Sequence, residues 1–289
     1  MSDTLKLMCI LAHPDDESLG MGGILAKYAA EGVETYLVTA TRGEHGWTGK
    51  PADYPGPTQL GQTREGELRR AAKGLGIREV TFLDYIDGYL DEADPTEVIN
   101  RLVAYLRRVR PQVVVTFDPN GAYGHPDHIA IAQFTTAAVV AAADPGTGSG
   151  RPHRVAKLYY RGFRVAEVAA YEAAFGELAM TIDGVARRFT AWPDWALTTW
   201  IDTSAYWAQV WEAVTCHRSQ LTNYQALQAL PEEHHANLWS TQTYYRALSL
   251  VNGGRAVERD LFAGLRAPSQ PAPVETNSLR QVQGVLALN

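Results

Sequence analysis

The stretch Leu11–Gly23, LAHPDDESLGMGG, decides how the first part of this sequence is interpreted. The apolar run KLMCILA leads into a histidine, a proline and three consecutive acids, and a helical pattern follows. Clustered carboxylates at the end of a buried strand repel one another, so they are costly unless a positive charge lies among them. The stretch therefore predicts a strand, a cation site and a helix in succession.

Short apolar runs alternate with longer helical patterns through the first half of the chain. The predicted strands are KLMCILA, VETYLVTAT, EVTFLDY and QVVVTFD, each followed by a helical pattern. Such alternation indicates parallel strands joined by right-handed crossovers. We predict an α/β fold, in which a Rossmann-like, mostly parallel sheet is flanked by helices, with a less regular C-terminal region.

A Gly/Ser/Pro-rich stretch, DPGTGSGRP at 144–152, marks a boundary or a surface loop. Before it we predict a Rossmann-like metal-binding core over residues 1–145. After it we predict a C-terminal α/β region over 152–266 that completes the substrate pocket. Residues 267–289, rich in Pro, Ser and Gln, are predicted to form a tail.

Composition restricts the kind of partner. The 289 residues carry a net charge of −6, which argues against a nucleic-acid or anionic-membrane surface. No apolar run reaches membrane-spanning length, and the N-terminus lacks the features of a signal peptide. Cys9 and Cys216 lie too far apart to suggest a disulfide framework. We expect a cytoplasmic protein that acts on a small molecule, with homo-oligomer formation left open.

The unusual residues fall where a parallel sheet binds ligands, beyond the carboxyl ends of its strands. The tripeptide His-Pro-Asp occurs twice there, at 13–15 and at 125–127, and each copy has a further ligand-type residue three positions after its histidine. Catalytic zinc takes three protein ligands from His, Asp or Glu and keeps one position open. Two copies on one sheet edge therefore predict a metal site.

The motifs AHPDDE and DPNGAYGHPDH together resemble the PIG-L/LmbE-like family of zinc-dependent N-acetylglucosamine deacetylases. Within that family, the chain looks most similar to the members that act on N-acetylglucosaminyl-inositol in mycothiol synthesis. The resemblance covers about the first 140 residues and returns at CHRSQ, 216–220. It implies that His13, Asp16 and His128 hold zinc; ligand type alone also allows Fe²⁺ or Co²⁺.

The resemblance also implies the catalytic residues. Asp15 matches the general base that takes a proton from the attacking water. His125 matches a residue that stabilises the oxyanion or protonates the leaving amine, and Tyr123 one that polarises the same oxygen. Asp127 is expected to hold the second nitrogen of a histidine, and Glu17 to cap the helix or orient its neighbour.

Substrate contacts are implied for five residues. Arg64 and Asp87 match positions that bind sugar hydroxyls, and Glu44 lies on the same sheet edge. His217 and Gln220, in the second half of the chain, are placed over the pocket by the resemblance alone. The segment between FLDYIDGYL and DPTEVINRL is shorter here than in the inositol-specific members, which removes a loop that borders the pocket.

These expectations define a metal-dependent hydrolase that removes the N-acetyl group of an N-acetylglucosamine conjugate. An amidase that removes a larger acyl group from a thiol-sugar conjugate is the alternative. A Mg²⁺-dependent phosphoesterase using Asp15, Asp16, Glu17 and Asp118 would need oxygen ligands, whereas histidines are close by. A nucleotide-binding module based on GMGG, 20–23, lacks the Gly-x-Gly-x-x-Gly pattern. The pair His234-His235 is expected to be exposed to solvent.

Overall fold

The computed structural model describes residues 4–266 except 178, 183, 223–224, 253 and 255. The predicted tail, 267–289, lies outside the described residues. Among the described helices, none combines the length and the hydropathy needed to cross a membrane.

A seven-stranded sheet forms the centre of the molecule, in the order β3-β2-β1-β4-β5-β9-β8. The first five strands in this order pair in parallel, whereas β9 is antiparallel to both β5 and β8. Strands β6 and β7 form a separate antiparallel hairpin. The strand bounds are β1 Lys6–Leu11, β2 Glu34–Thr41, β3 Glu79–Tyr85, β4 Val113–Phe117, β5 Lys157–Arg161, β6 Ala179–Ile182, β7 Val185–Arg188, β8 Thr199–Asp202 and β9 Thr241–Ser249.

Helices connect the strands and cover the sheet. Their bounds are α1 Asp16–Ala30, α2 Pro57–Gly74, α3 Pro95–Val109, α4 Gly121–Gly124, α5 Pro126–Ala141, α6 Val165–Phe175, α7 Trp207–Cys216, α8 Gln225–Gln228 and α9 Glu232–Leu238. Proline stands at the first position of α2, α3 and α5, where its missing N–H costs nothing. The predicted α/β fold with a mostly parallel sheet is confirmed.

The sheet order places a crevice between β1 and β4. From β1 the chain continues outward through β2 and β3, while β4 and β5 lie on the other side of β1. The strand order therefore reverses between β1 and β4, which is where open α/β sheets bind ligands. The two His-Pro-Asp tripeptides lie in the segments that follow these two strands.

The second half of the chain extends the same sheet, since β5, β9 and β8 pair onto β4. It also packs closely on α1. A Cβ atom at Gly22 would lie 3.0 Å from Val210, and one at Gly23 would lie 2.7 Å from Thr203. These glycines therefore permit α1 to pack closely against the second half of the chain.

One expectation about the second half is wrong. His235 is 3% exposed rather than open to solvent. Its ring stacks on Trp211 at 4.2 Å and its Nε2 lies 2.6 Å from the Leu227 carbonyl. The stacking partner comes from a different helix, so the local sequence gave no signal for this burial, whereas His234 is exposed as expected.

Candidate metal centre and catalytic cavity

The loop after β1 brings His13 and Asp16 to the crevice. The His13 backbone N–H donates to Asp16 Oδ2 at 2.7 Å, which fixes the carboxylate at the start of α1. His13 Nδ1 lies 3.6 Å from the same oxygen. The two side chains therefore present one nitrogen and one carboxylate to the same point.

His128, on the first turn of α5, completes a trio of ligand-type atoms. Its Nε2 lies 3.2 Å from His13 Nδ1 and 3.4 Å from Asp16 Oδ1. Tetrahedral coordination with bonds of roughly 2.0–2.1 Å separates ligand atoms by about 3.3 Å. The three predicted ligands thus have the spacing and donor types that fit a small divalent cation.

The other nitrogen of His13 faces carboxylates. His13 Nε2 lies 3.1 Å from Asp127 Oδ2 and 3.0 Å from Asp87 Oδ1. Carboxylates on the far nitrogen fix the orientation and raise the basicity of a metal-binding histidine. Asp127 therefore contacts the second nitrogen of a histidine, as expected from the sequence, and Asp87, predicted as a sugar contact, also supports the ring of His13.

Two further groups of residues could hold a metal ion. They are His13, His125 and His128, and His13, Asp87 and Asp127. Both include His13, and both overlap the trio or its immediate partners. The structure therefore has a candidate His/Asp metal site at the β1–β4 crevice.

Burial makes this cluster electrostatically unusual. Burial and the charge of Asp15 raise the pKa of Asp16 to about 7, against the opposing effect of His13. Burial lowers the pKa of His13, but hydrogen bonds to Asp127 and Asp87 outweigh it and raise that pKa well above its usual value. Burial and the charge of His13 lower the pKa of His125 to about 4. A bound cation would relieve the cost of placing these acids together.

Asp15 is the carboxylate on the cavity side of the loop. Its backbone is left-handed, with φ of 107°, which is rare for a residue with a side chain. Arg64 Nη2 donates to Asp15 Oδ2 at 3.1 Å, and its Nη1 donates to the Gly43 carbonyl at 2.8 Å. The predicted sugar contact Arg64 lines the cavity, but it also anchors the predicted base.

The loop after β2 leaves room for that arginine. A Cβ atom at Gly43, where φ is +65°, would lie 2.3 Å from Arg64 Nη1, and one at Gly46 would lie 2.4 Å from it. Real Cβ atoms do not approach other atoms so closely, so both positions require glycine while the arginine stays in place. The sequence of this loop predicts a sugar contact at Glu44 and does not indicate the supporting role of its glycines.

One ring nitrogen of His125 accepts a backbone hydrogen bond at the start of α5. As the N-cap of α5, its Nδ1 accepts the Asp127 N–H at 3.1 Å. A neutral imidazole that accepts at Nδ1 carries its proton on Nε2, so the other nitrogen is a donor. The Tyr123 ring lies edge-on to His125 at 6.1 Å and to His128 at 5.3 Å.

The remaining predicted contacts divide into two groups. Gln220 lines the cavity and donates from Nε2 to the Gly46 carbonyl at 2.8 Å. Glu44 does not line it, because its two carboxylate oxygens accept from the backbone N–H groups of Asp87 and Arg42. His217 does not line it either and is fully buried. Neither Glu44 nor His217 is among the residues that line the cavity, and substrate contact by either one stays a prediction.

The oxygen-ligand set of a phosphoesterase is not assembled. Asp118 accepts the Ala122 N–H and the Trp192 indole N–H, at 2.9 Å each. Glu17 is fully buried, and neither acid lines the cavity.

The cavity has a volume of about 560 Å³, which is within the range of small-molecule sites. The predicted metal ligands and Asp15 line one part of it. Another part is apolar, and no motif in the sequence indicated it. The residues of this apolar wall are Leu19, Phe163, Tyr171, Met180 and Phe189.

Comparisons with known proteins identify relatives of this chain. Residues 8–139 match the family model PIG-L, described as GlcNAc-PI de-N-acetylase. A protein of Streptomyces griseus named 1D-myo-inositol 2-acetamido-2-deoxy-alpha-D-glucopyranoside deacetylase is 37% identical, covering 90% of this chain and 89% of the relative. A Rhodococcus jostii protein of the same name is 35% identical, covering 90% of this chain and 98% of the relative.

Among solved structures, the conserved protein TT1542 from Thermus thermophilus is similar. It superposes with a TM-score of 0.60 at 28% identity, covering 86% of this chain and 98% of that protein. Identity above 30% over nearly the full length of the curated relatives shows that the chain belongs to the PIG-L family.

Proposed function

We propose that the chain is a zinc-dependent hydrolase that removes the N-acetyl group from an N-acetylglucosamine conjugate. The products are acetate and the free amino sugar. The observation that supports this best is the trio of His13 Nδ1, Asp16 and His128 Nε2 within 3.2–3.6 Å, with Asp15 on the same cavity. The names of the relatives favour N-acetylglucosaminyl-inositol as the substrate.

His13, Asp16 and His128 would hold the ion, which supplies a Lewis acid for the amide carbonyl and for water. Donor chemistry favours zinc, because two imidazoles and one carboxylate are a common catalytic zinc set. Fe²⁺ and Co²⁺ accept the same donors. Asp127 and Asp87 would hold the His13 ring so that Nδ1 faces the ion.

Asp15 acts as the general base in this proposal. The Arg64 contact at 3.1 Å holds its carboxylate at the cavity wall, where it takes the proton of the attacking water. The new bond joins water oxygen to the carbonyl carbon. The C–N bond then breaks, and the proton goes to the leaving amine.

His125 and Tyr123 would stabilise the oxyanion. His125 keeps a donor on Nε2, because its Nδ1 accepts the N–H that begins α5. Tyr123 also lines the cavity, and its hydroxyl would be the second donor. Donors aimed at the developing charge are the largest single contribution in most acyl-transfer sites. Arg64, Asp87 and Gln220 remain proposed contacts of the sugar.

The apolar wall of the cavity favours a second candidate, an amidase for a larger acyl group. The Phe189 ring lies 6.2 Å from the Tyr123 ring and 4.8 Å from the Phe163 ring, so aromatic rings continue from the catalytic residues along this wall. An acyl chain longer than acetyl would find apolar surface there. A comparison of kcat/KM for N-acetyl and N-butyryl derivatives of one amino sugar distinguishes the two candidates.

The decisive experiment measures acetate release from N-acetylglucosaminyl-inositol and from N-acetylglucosamine. Enzyme treated with a chelator is compared with the same enzyme after zinc is restored. We expect release that depends on zinc and is faster with the inositol conjugate. Absence of zinc-dependent release from every acetamido sugar contradicts the proposal.

A cytoplasmic location belongs to the same proposal. It is supported by Cys9 and Cys216, both of which are free thiols, Cys9 fully buried. Homo-oligomer formation is likewise a proposal, which the mass of the purified protein in solution tests.

A further inference from the structure

The backbone of Asp15 needs support from its surroundings. Its φ of 107° and ψ of −26° leave the usual regions for a residue with a side chain. Such conformations persist only where neighbouring structure holds them, and they concentrate at functional sites. The residues that hold Asp15 therefore influence where its carboxylate points.

Glu17 holds the backbone of Asp15 through a hydrogen bond. Its Oε2 accepts the Asp15 N–H at 2.9 Å, and its Oε1 accepts the Ser18 hydroxyl at 2.5 Å. The Glu17 residue has no access to solvent. A carboxylate is a strong acceptor for a backbone N–H, but it must itself be oriented when it is buried.

His217 orients Glu17 from the second half of the chain. Its Nε2 lies 2.7 Å from Glu17 Oε1, and both residues are 0% exposed. Among the described residues, the opposite nitrogen, Nδ1, has no hydrogen-bond partner. The ring therefore makes its polar contacts through one nitrogen, to Glu17 and to the neighbouring Ser18 hydroxyl.

The residues after His217 attach the same segment to other loops of the cavity. Ser219 donates from its N–H and hydroxyl to Glu67 of α2, at 2.8 and 2.7 Å. Gln220 donates to the Gly46 carbonyl. Within the segment 217–220, His217 is the residue that bonds Glu17, the acceptor of the Asp15 N–H, whereas Ser219 and Gln220 bond α2 and the loop after β2.

We propose that Glu17 and His217 are positioning residues that hold Asp15 in its left-handed conformation and so aim its carboxylate into the cavity. Neither residue touches the cavity, so neither is a catalytic residue. This inference rests on the proposed function, in which Asp15 is the general base. It assigns a role to the one predicted substrate contact that is fully buried.

The test compares two variants of one residue. His217→Leu keeps the approximate size and removes the donor, whereas His217→Gln places an amide N–H near the position of Nε2. We expect His217→Leu to lower kcat about 100-fold, as small misplacements of reacting groups do. KM should stay within about threefold, because substrate binding is not altered. His217→Gln should recover most of kcat.

Bound metal and a matched control separate positioning from general damage. His217→Leu should keep as much zinc as the parent enzyme, because His13, Asp16 and His128 are untouched. Ser219→Ala, which removes a hydrogen bond from the same segment without reaching Glu17, should keep kcat near that of the parent. Equal losses in His217→Leu and Ser219→Ala, or loss of zinc in His217→Leu, would overturn the inference.

A crystal structure of His217→Leu gives a readout without any substrate. We expect φ of Asp15 to leave the left-handed region or its carboxylate to turn from the cavity. An unchanged Asp15 in that variant contradicts the inference even if the parent enzyme shows no deacetylase activity. Failure of the proposed function is detected separately, by the parent enzyme alone.

Discussion

The two His-Pro-Asp tripeptides, at 13–15 and 125–127, have the same sequence but different structural roles. In the first, His13 faces the candidate metal site through Nδ1 and Asp15 faces the cavity. In the second, His125 caps α5 and Asp127 reaches back to His13 Nε2. In both copies, the residue three positions after the histidine is a candidate metal ligand: Asp16 in the first and His128 in the second. Repetition of a motif therefore indicates a shared site, while the role of each residue depends on the backbone around it.

The largest expected effect is that of replacing His128, the candidate metal ligand three positions after the second histidine. His128→Ala should lose bound metal and reduce acetate release by roughly 10⁴-fold or more, out of the roughly 10⁶-fold or greater acceleration of enzymes. Metal analysis after gel filtration, together with the acetate assay, checks this. Retention of stoichiometric zinc would show that the ligand set is different.

Asp15→Ala tests the third residue of the first tripeptide. It should reduce kcat by about 10²–10⁴-fold, because a general base contributes that much, and it should keep its zinc. The equivalent change in the second tripeptide, Asp127→Ala, should lower metal affinity instead. If Asp15→Ala keeps most of its turnover with metal bound, Asp15 is not the base.

His125→Asn tests the histidine of the second tripeptide without removing the helix cap, because asparagine is also a good N-cap. It should lower kcat by about 10²–10³-fold through loss of a donor to the oxyanion, with metal content unchanged. Thermal unfolding should show a midpoint close to that of the parent. Loss of zinc in this variant would support the alternative group of His13, His125 and His128.

The smallest expected effect belongs to Asp127→Asn. An amide can still accept one of the backbone N–H bonds from Gly88 and Leu90, but it no longer offers a charged partner to His13. Metal affinity should fall about 10–100-fold. Competition with a chelator of known affinity measures the change, and an unchanged affinity would mean that Asp87 alone supports the ring.

The sequence predicted the parallel part of the sheet and the edge at which the site lies. Strand–helix alternation sets the direction of β1 and β4, and their loops must then meet at one edge. The sequence did not predict the hydrogen bond of Arg64 to Asp15, the burial of His217 or the stacking of His235 on Trp211. These depend on partners that only tertiary packing brings close, and no local periodicity records them.

The two glycines around Arg64 also bear on enzyme engineering. A larger residue at position 43 or 46 would have to displace the arginine that anchors Asp15, and at position 43 it would also have to adopt a φ of +65°. Trp47 and Thr48, next along the same loop, also line the cavity. A library designed to change substrate preference should therefore randomise 47 and 48 and leave the two glycines fixed.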